Sequence, residues 1–148
     1  MRALLIHLGV VAALAALAAP MRAVAAQDGV RVIVHPEAPT TALTRDHVSR
    51  LFLKKTRHWD GGIPVVPVDL SDRSPTRVAF TRAVHRRSVE LVRQFWEQQI
   101  FSGRSVPPPN KASDAEVVAY VRTTRGAIGY VSADADVRGV RVVEIRAN

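Results

Sequence analysis

The chain has 148 residues, 47% of them hydrophobic, which is enough for one domain with a real core and too little for two. It contains no cysteine, so disulfides, thiolate catalysis, cysteine-based metal sites and a lipidated cysteine anchor are excluded. The formal charge is +8; Arg2 and Arg22 are the only Lys, Arg, Asp or Glu residues among the first 26, so residues 27–148 carry 19 basic against 13 acidic side chains, a balance that favours anionic partners.

Residues 1–26 have the parts of a secretory signal peptide: Arg2 at the start, an alanine- and leucine-rich run over 3–19, a break at Pro20, and Ala23-Val24-Ala25 suited to cleavage. The apolar run is short for a membrane span and contains His7. The expectation is export, cleavage, and a soluble periplasmic protein made of one domain over 27–148, with no stable membrane insertion afterwards.

Val30 to Val34 (VRVIV) is β-branched and bounded by Gly29 and Pro36, which predicts the first strand. His35 to Pro39 (HPEAP) is extended, because each proline disfavours helix in the residue before it. Thr44 then caps a helix, with Asp46 in its positive first turn, Leu43 and Val48 as a hydrophobic staple, and His47, Val48, Leu51 and Phe52 as its inward stripe. A basic loop with Lys54, Lys55, Arg57 and Trp59 follows, and Asp60-Gly61-Gly62 turns the chain into the next strand.

Over residues 65–84 (VVPVDLSDRSPTRVAFTRAV) an apolar strand breaks into a polar turn, and the turn opens a helix. Pro67 inside that strand implies an edge position or a bulge. Ser74 sits where an N-cap belongs and Pro75 follows at the first helical position, where its missing N–H costs nothing. Phe80, Ala83 and Val84 recur at helical spacing, with Arg77, Arg82 and Arg86 off that face. Helix N-termini attract anions, and Ser71, Arg73, Ser74, Thr76 and Arg77 add hydroxyl and guanidinium donors at this one. Two meanings stand side by side: an oxyanion pocket, or an ordinary strand–turn–helix with a good cap.

Ser88 predicts a further cap, and Leu91, Val92, Phe95, Trp96 and Ile100 an amphipathic helix. Residues 101–110 are glycine- and proline-punctuated and read as an extended crossing without an element of its own. Ser113 and Glu116 have capping-box spacing, Gly126 ends that helix, and strands are expected over 127–131 and 140–145. Trp59, Phe95, Trp96 and Tyr130 read as structural. Strands alternating with helices predict an α/β domain with a mixed sheet flanked by helices.

No catalytic constellation emerges. His35, His47, His58 and His85 lack metal-ligand spacing, and Ser74 and His85 lie about three turns apart on one helix, beyond nucleophile–base reach. Asp134 and Asp136 fall in a turn. Export and an aromatic content of 5% disfavour nucleic acid. The reading is therefore a non-enzyme with no cofactor.

Four segments in this order, LTRDHVSRLFLKKTRHWDGG, SDRSPT, FWEQQIFSG and RGAIGYV, resemble the phosphate-binding-protein-like family, the type 2 periplasmic solute-binding proteins of the phosphate ABC transporter. The resemblance implies one lobe of such a protein, inorganic phosphate or a similar oxyanion as ligand, and an ABC transporter or another envelope protein as partner. The family turn reads Arg-Ser-Asp-Gly-Ser-Gly-Thr. Ser74 and Thr76 match its binding positions, whereas Leu70 stands at the arginine and Pro75 at the glycine. Arg73 and Arg77 are placed to supply replacement charge. The expected function is an exported solute-binding-type protein with weak oxyanion binding; the alternative is a periplasmic protein-interaction module that keeps the lobe as scaffold and has lost the ligand.

Overall fold

A computed structural model describes residues 29–148; the signal segment read at 1–26 lies outside the described residues. The β-branched run forms β1 (Val30–Val34), the middle of the sheet, and the strand lies where the pattern puts it. The remaining strands are β2 (Ala42–Thr44), β3 (Val66–Pro67), β4 (Asp69–Leu70), β5 (Asn110–Lys111), β6 (Ala127–Ser132) and β7 (Arg141–Arg146). The helices are α1 (Arg45–Phe52), α2 (Pro75–Phe80), α3 (Val89–Phe101) and α4 (Asp114–Thr123), and α2 runs on into a π-helical segment, Thr81–His85.

Five strands form a mixed sheet in the order β2-β7-β1-β6-β3. β1 is antiparallel to both β6 and β7, with Val32 opposite Tyr130 and Val143, while β2 and β3 run parallel to their neighbours. β3 is an edge, as Pro67 demands: Val66 and Val68 donate to Gly126 O and Ile128 O at 3.0 and 2.9 Å, so the imide nitrogen between them falls on the open side. The apolar stretch read as one strand ahead of the polar turn forms two, β3 and β4. Past Val68 the chain leaves the sheet and β4 pairs in parallel with β5, so the 101–110 crossing does end in an element of its own.

Side chains alternate across the sheet and helices cover both faces. On one face Val32 and Tyr130 meet Phe52 of α1 and Phe80 of α2. On the other, Gly129 lets α4 come close: a Cβ there would stand 2.7 Å from Val117 Cγ1 and 3.1 Å from Val121 Cγ2. Gly126 has φ +81°, and a side chain would meet Pro64 O at 2.1 Å. Its carbonyl also accepts from the indole N–H of Trp59 at 2.9 Å, which makes Trp59 a buried structural bracket.

The four predicted caps form. Thr44, Ser74, Ser88 and Ser113 accept from His47, Arg77, Leu91 and Glu116 N–H at 3.3, 3.4, 3.2 and 3.2 Å. The stripe predicted on α3 is narrower than expected. Val92 and Trp96 are buried and Phe95 partly so, in a small cluster with Leu53 apart from the main core; Leu91 and Ile100 stay 51% and 53% exposed. The 53–55 loop and the π segment lie against α3, and they cover Val92 and Trp96 without reaching Leu91 and Ile100. Among the described residues no helix is long and apolar enough to cross a membrane.

Candidate functional site

The 71–76 turn joins β4 to α2 and is closed by Ser74 N–H donating to Ser71 O at 2.9 Å. Arg77 N–H is taken by Ser74 Oγ, and Val78 N–H by Ser74 O at 3.1 Å. Pro75 has no N–H, so Thr76 N–H is the first-turn amide left without a partner among the described residues. The structure brings Ser71, Arg73, Ser74 and Thr76 together on this turn with Arg73 exposed and the other three half-buried, and the hydroxyl hydrogens of Ser71, Ser74 and Thr76 are free to donate. Asp72, 48% exposed, is the acidic residue of the turn.

Arg77 is where the structure departs from the sequence reading, which set it off the buried face. It is 4% exposed and points under the turn, where its guanidinium pairs with the buried Asp69 carboxylate. Tyr130 completes the arrangement: its hydroxyl donates to Asp69 Oδ1 and accepts from Leu70 N–H at 3.2 Å and Arg77 Nη1 at 3.4 Å. A second guanidinium nitrogen lies 3.8 Å from Asp72 Oδ1, and Nε is buried without a partner. Burial pulls the Arg77 pKa below the ordinary arginine value, partly offset by Tyr130. Burial also pushes the Tyr130 hydroxyl up to about 12, so it stays a neutral donor.

The reason for this inward turn is charge compensation. Asp69 is carried into the interior by the apolar strand ends on either side of it, and a buried carboxylate requires a cation or several donors. Arg77, the third residue after the N-cap Ser74, comes within reach because the turn folds α2 back over β4. Asp69 and Tyr130 were not singled out for the site from the sequence. The available signal was an aspartate inside an otherwise apolar run, VVPVDL.

The π segment after α2 holds Thr81, Val84 and His85 inward, and His85 Nδ1 lies 2.9 Å from Ser49 Oγ. Desolvation, reinforced by Arg77, Arg87 and Lys55, lowers its pKa from 6.5 to about 4. Between those values the unfolded chain binds more protons than the folded one. Stability therefore falls as pH drops from about 6.5 towards about 4, by up to about 1.4 kcal/mol per pH unit. His85→Gln will flatten this limb. Urea unfolding of both proteins at about pH 7 and about pH 5 checks it: the loss on acidification is smaller in the variant.

Among the described residues no group of three or more His, Cys, Asp or Glu side chains is placed to hold a metal ion. Asp136 pairs with Arg138 and Asp134 accepts from Ser132, both in a solvated turn.

No protein-family model and no curated protein matches the sequence. Solved structures do match the fold. A Clostridium perfringens protein described as a phosphate ABC transporter substrate-binding protein, with bound phosphate, superposes with a TM-score of 0.63 at 24% identity, covering 80% of this chain and 45% of that one. An ABC-type phosphate transport receptor from Vibrio cholerae gives 0.63 at 18% identity, covering 80% and 46%. PstS from Borrelia burgdorferi gives 0.62 at 13% identity, covering 80% and 47%. The chain spans about half the length of the structures it matches. It has the mixed α/β fold of one lobe of a phosphate-type periplasmic binding protein.

Proposed function

We propose that this chain is an exported solute-binding-type protein that takes phosphate or a similar oxyanion weakly at the 71–76 turn, with residues 1–26 as its signal peptide and the periplasm as its compartment. The observation that carries the reading is the convergence of three hydroxyls, one unpaired amide and Arg73 on a turn within a fold shared with a phosphate-bound relative. An ABC transporter or another envelope protein is the corresponding partner. Ser71, Ser74, Thr76 and Arg73 donate to the anion. Arg77 supports the turn from below, with its charge already met by Asp69.

Three of these donors engaging one anion at once through charge-assisted hydrogen bonds give roughly 4.5–9 kcal/mol gross, against an association cost of at least about 4. The surplus, roughly 0.5–5 kcal/mol, corresponds to a Kd of about 0.2 mM or weaker. Leu70 and Pro75, which occupy the family's arginine and glycine positions, keep it from being tighter. Titrating the exported chain with inorganic phosphate at low salt, followed by amide NMR, is expected to shift residues 71–76, and Arg73→Ala or Ser74→Ala/Thr76→Ala to abolish the shifts. Amides unmoved at saturating phosphate would refute the assignment and return the chain to the partner-binding alternative.

A further inference from the structure

Beside α2 and the π segment, and sharing no residue with the 71–76 turn, the surface is hollowed into two adjoining grooves of about 570 and about 430 Å³. Both are lined by Arg82 and Arg86; Arg87 adds a guanidinium to the first and Arg45 one to the second. Among the described residues none of these four arginines makes a salt bridge or donates a side-chain hydrogen bond. The acid in the lining, Glu90, is already held by Arg93 at 2.6 Å. The walls of the first groove also carry exposed apolar side chains, Val78 at 39% and Leu91 at 51%.

We propose that this groove is a docking site for an acidic segment of a partner protein that alternates carboxylate and aliphatic side chains. Charge complementarity selects the acid. Guanidinium groups bind carboxylates as planar forks, and four of them lining adjoining grooves without counter-charge make a positive surface that an anionic chain complements. Arg82 lies in the π segment and Arg86 is the residue that ends it, held in a left-handed backbone with φ 54° that is disfavoured for a residue with a side chain. The local sequence is thus poor for folding and good for display. The apolar walls select the aliphatic component: a free inorganic anion would leave Val78 and Leu91 in water, whereas a peptide covers them. Concavity selects a chain over a bilayer, because a flat anionic membrane would touch the rim and leave the grooves unfilled.

The test uses a fluorescent peptide of alternating glutamate and leucine, titrated into the exported chain at low and at physiological salt. Binding is expected at low salt and to weaken as salt rises, and Arg82→Glu/Arg86→Glu is expected to lower the affinity by about tenfold or more, with inorganic phosphate failing to compete. The proposal is overturned if the peptide does not bind, if a lysine–leucine peptide binds as well, if the double variant binds unchanged, or if phosphatidylglycerol vesicles bind the chain and the peptide does not. Should the variant fail to fold, peptide-induced amide shifts in the unaltered chain decide: shifts at Val78, Arg82 and residues 86–91 support the site, and shifts elsewhere overturn it. Phosphate binding at the 71–76 turn is read separately, so the two assignments fail independently.

Discussion

Asp69→Ala is expected to destabilise the protein by about 3–5 kcal/mol, because it leaves the Arg77 guanidinium buried with only the half-exposed Asp72 carboxylate, 3.8 Å away, as counter-charge. Both side chains are nearly closed off from water, at 5% and 6% exposure, so solvent cannot take the place of the missing partner. Replacing both at once, Asp69→Leu with Arg77→Met, should recover most of that loss, since the desolvation of two ions disappears along with their attraction and the remaining cost is the Tyr130 hydroxyl left without its carboxylate acceptor. Tyr130→Phe should cost about 1–3 kcal/mol, for it removes the donor to Asp69 and the acceptor for Leu70 N–H. Urea unfolding of Asp69→Leu, Arg77→Met and the double variant closes a cycle that gives the coupling directly. A loss under about 1 kcal/mol for Asp69→Ala would show that water reaches the pair. The functional consequence is separate: Asp69 and Arg77 bracket the 71–76 turn, so the stable double variant should still lose the phosphate shifts there.

Much of the fold was legible because its determinants are local. A cap depends on one hydroxyl and the three residues after it, which is why Thr44, Ser74, Ser88 and Ser113 each start a helix as the sequence indicates. Pro67 marks an edge because its missing N–H removes a ladder bond wherever it sits. The non-local features were not legible. β4 and β5 are two residues each, joined across some forty positions, and neither has an alternating pattern of its own. Arg77 looked solvated because its partners come from other elements, Asp69 from β4 and Tyr130 from β6. Leu91 and Ile100 belong to an amphipathic stripe, but a stripe records only what could be buried, and the rest of the fold offers them no surface. Of the candidate site, the turn and its hydroxyls were readable; the buried ionic support beneath them was not.

The same support explains why Phe80→Ala should be felt well beyond its own cavity. Phe80 is fully buried, its ring lies parallel to Tyr130 with centroids 3.7 Å apart, and it meets Phe52 edge-on at 4.8 Å. Truncation removes the transfer energy of the ring and leaves a void flanked by two other rings that cannot close over it, a loss of about 3–5 kcal/mol. Phe80→Leu fills most of that space and should cost distinctly less. The larger change also frees the Tyr130 ring to tilt, and the tyrosine hydroxyl is what joins Asp69, Leu70 N–H and Arg77. Amide exchange at Leu70 should therefore accelerate in Phe80→Ala by more than global destabilisation alone predicts, while in Phe80→Leu it follows global stability. Equal acceleration throughout the chain would show that the aromatic stack holds the core but does not position the turn.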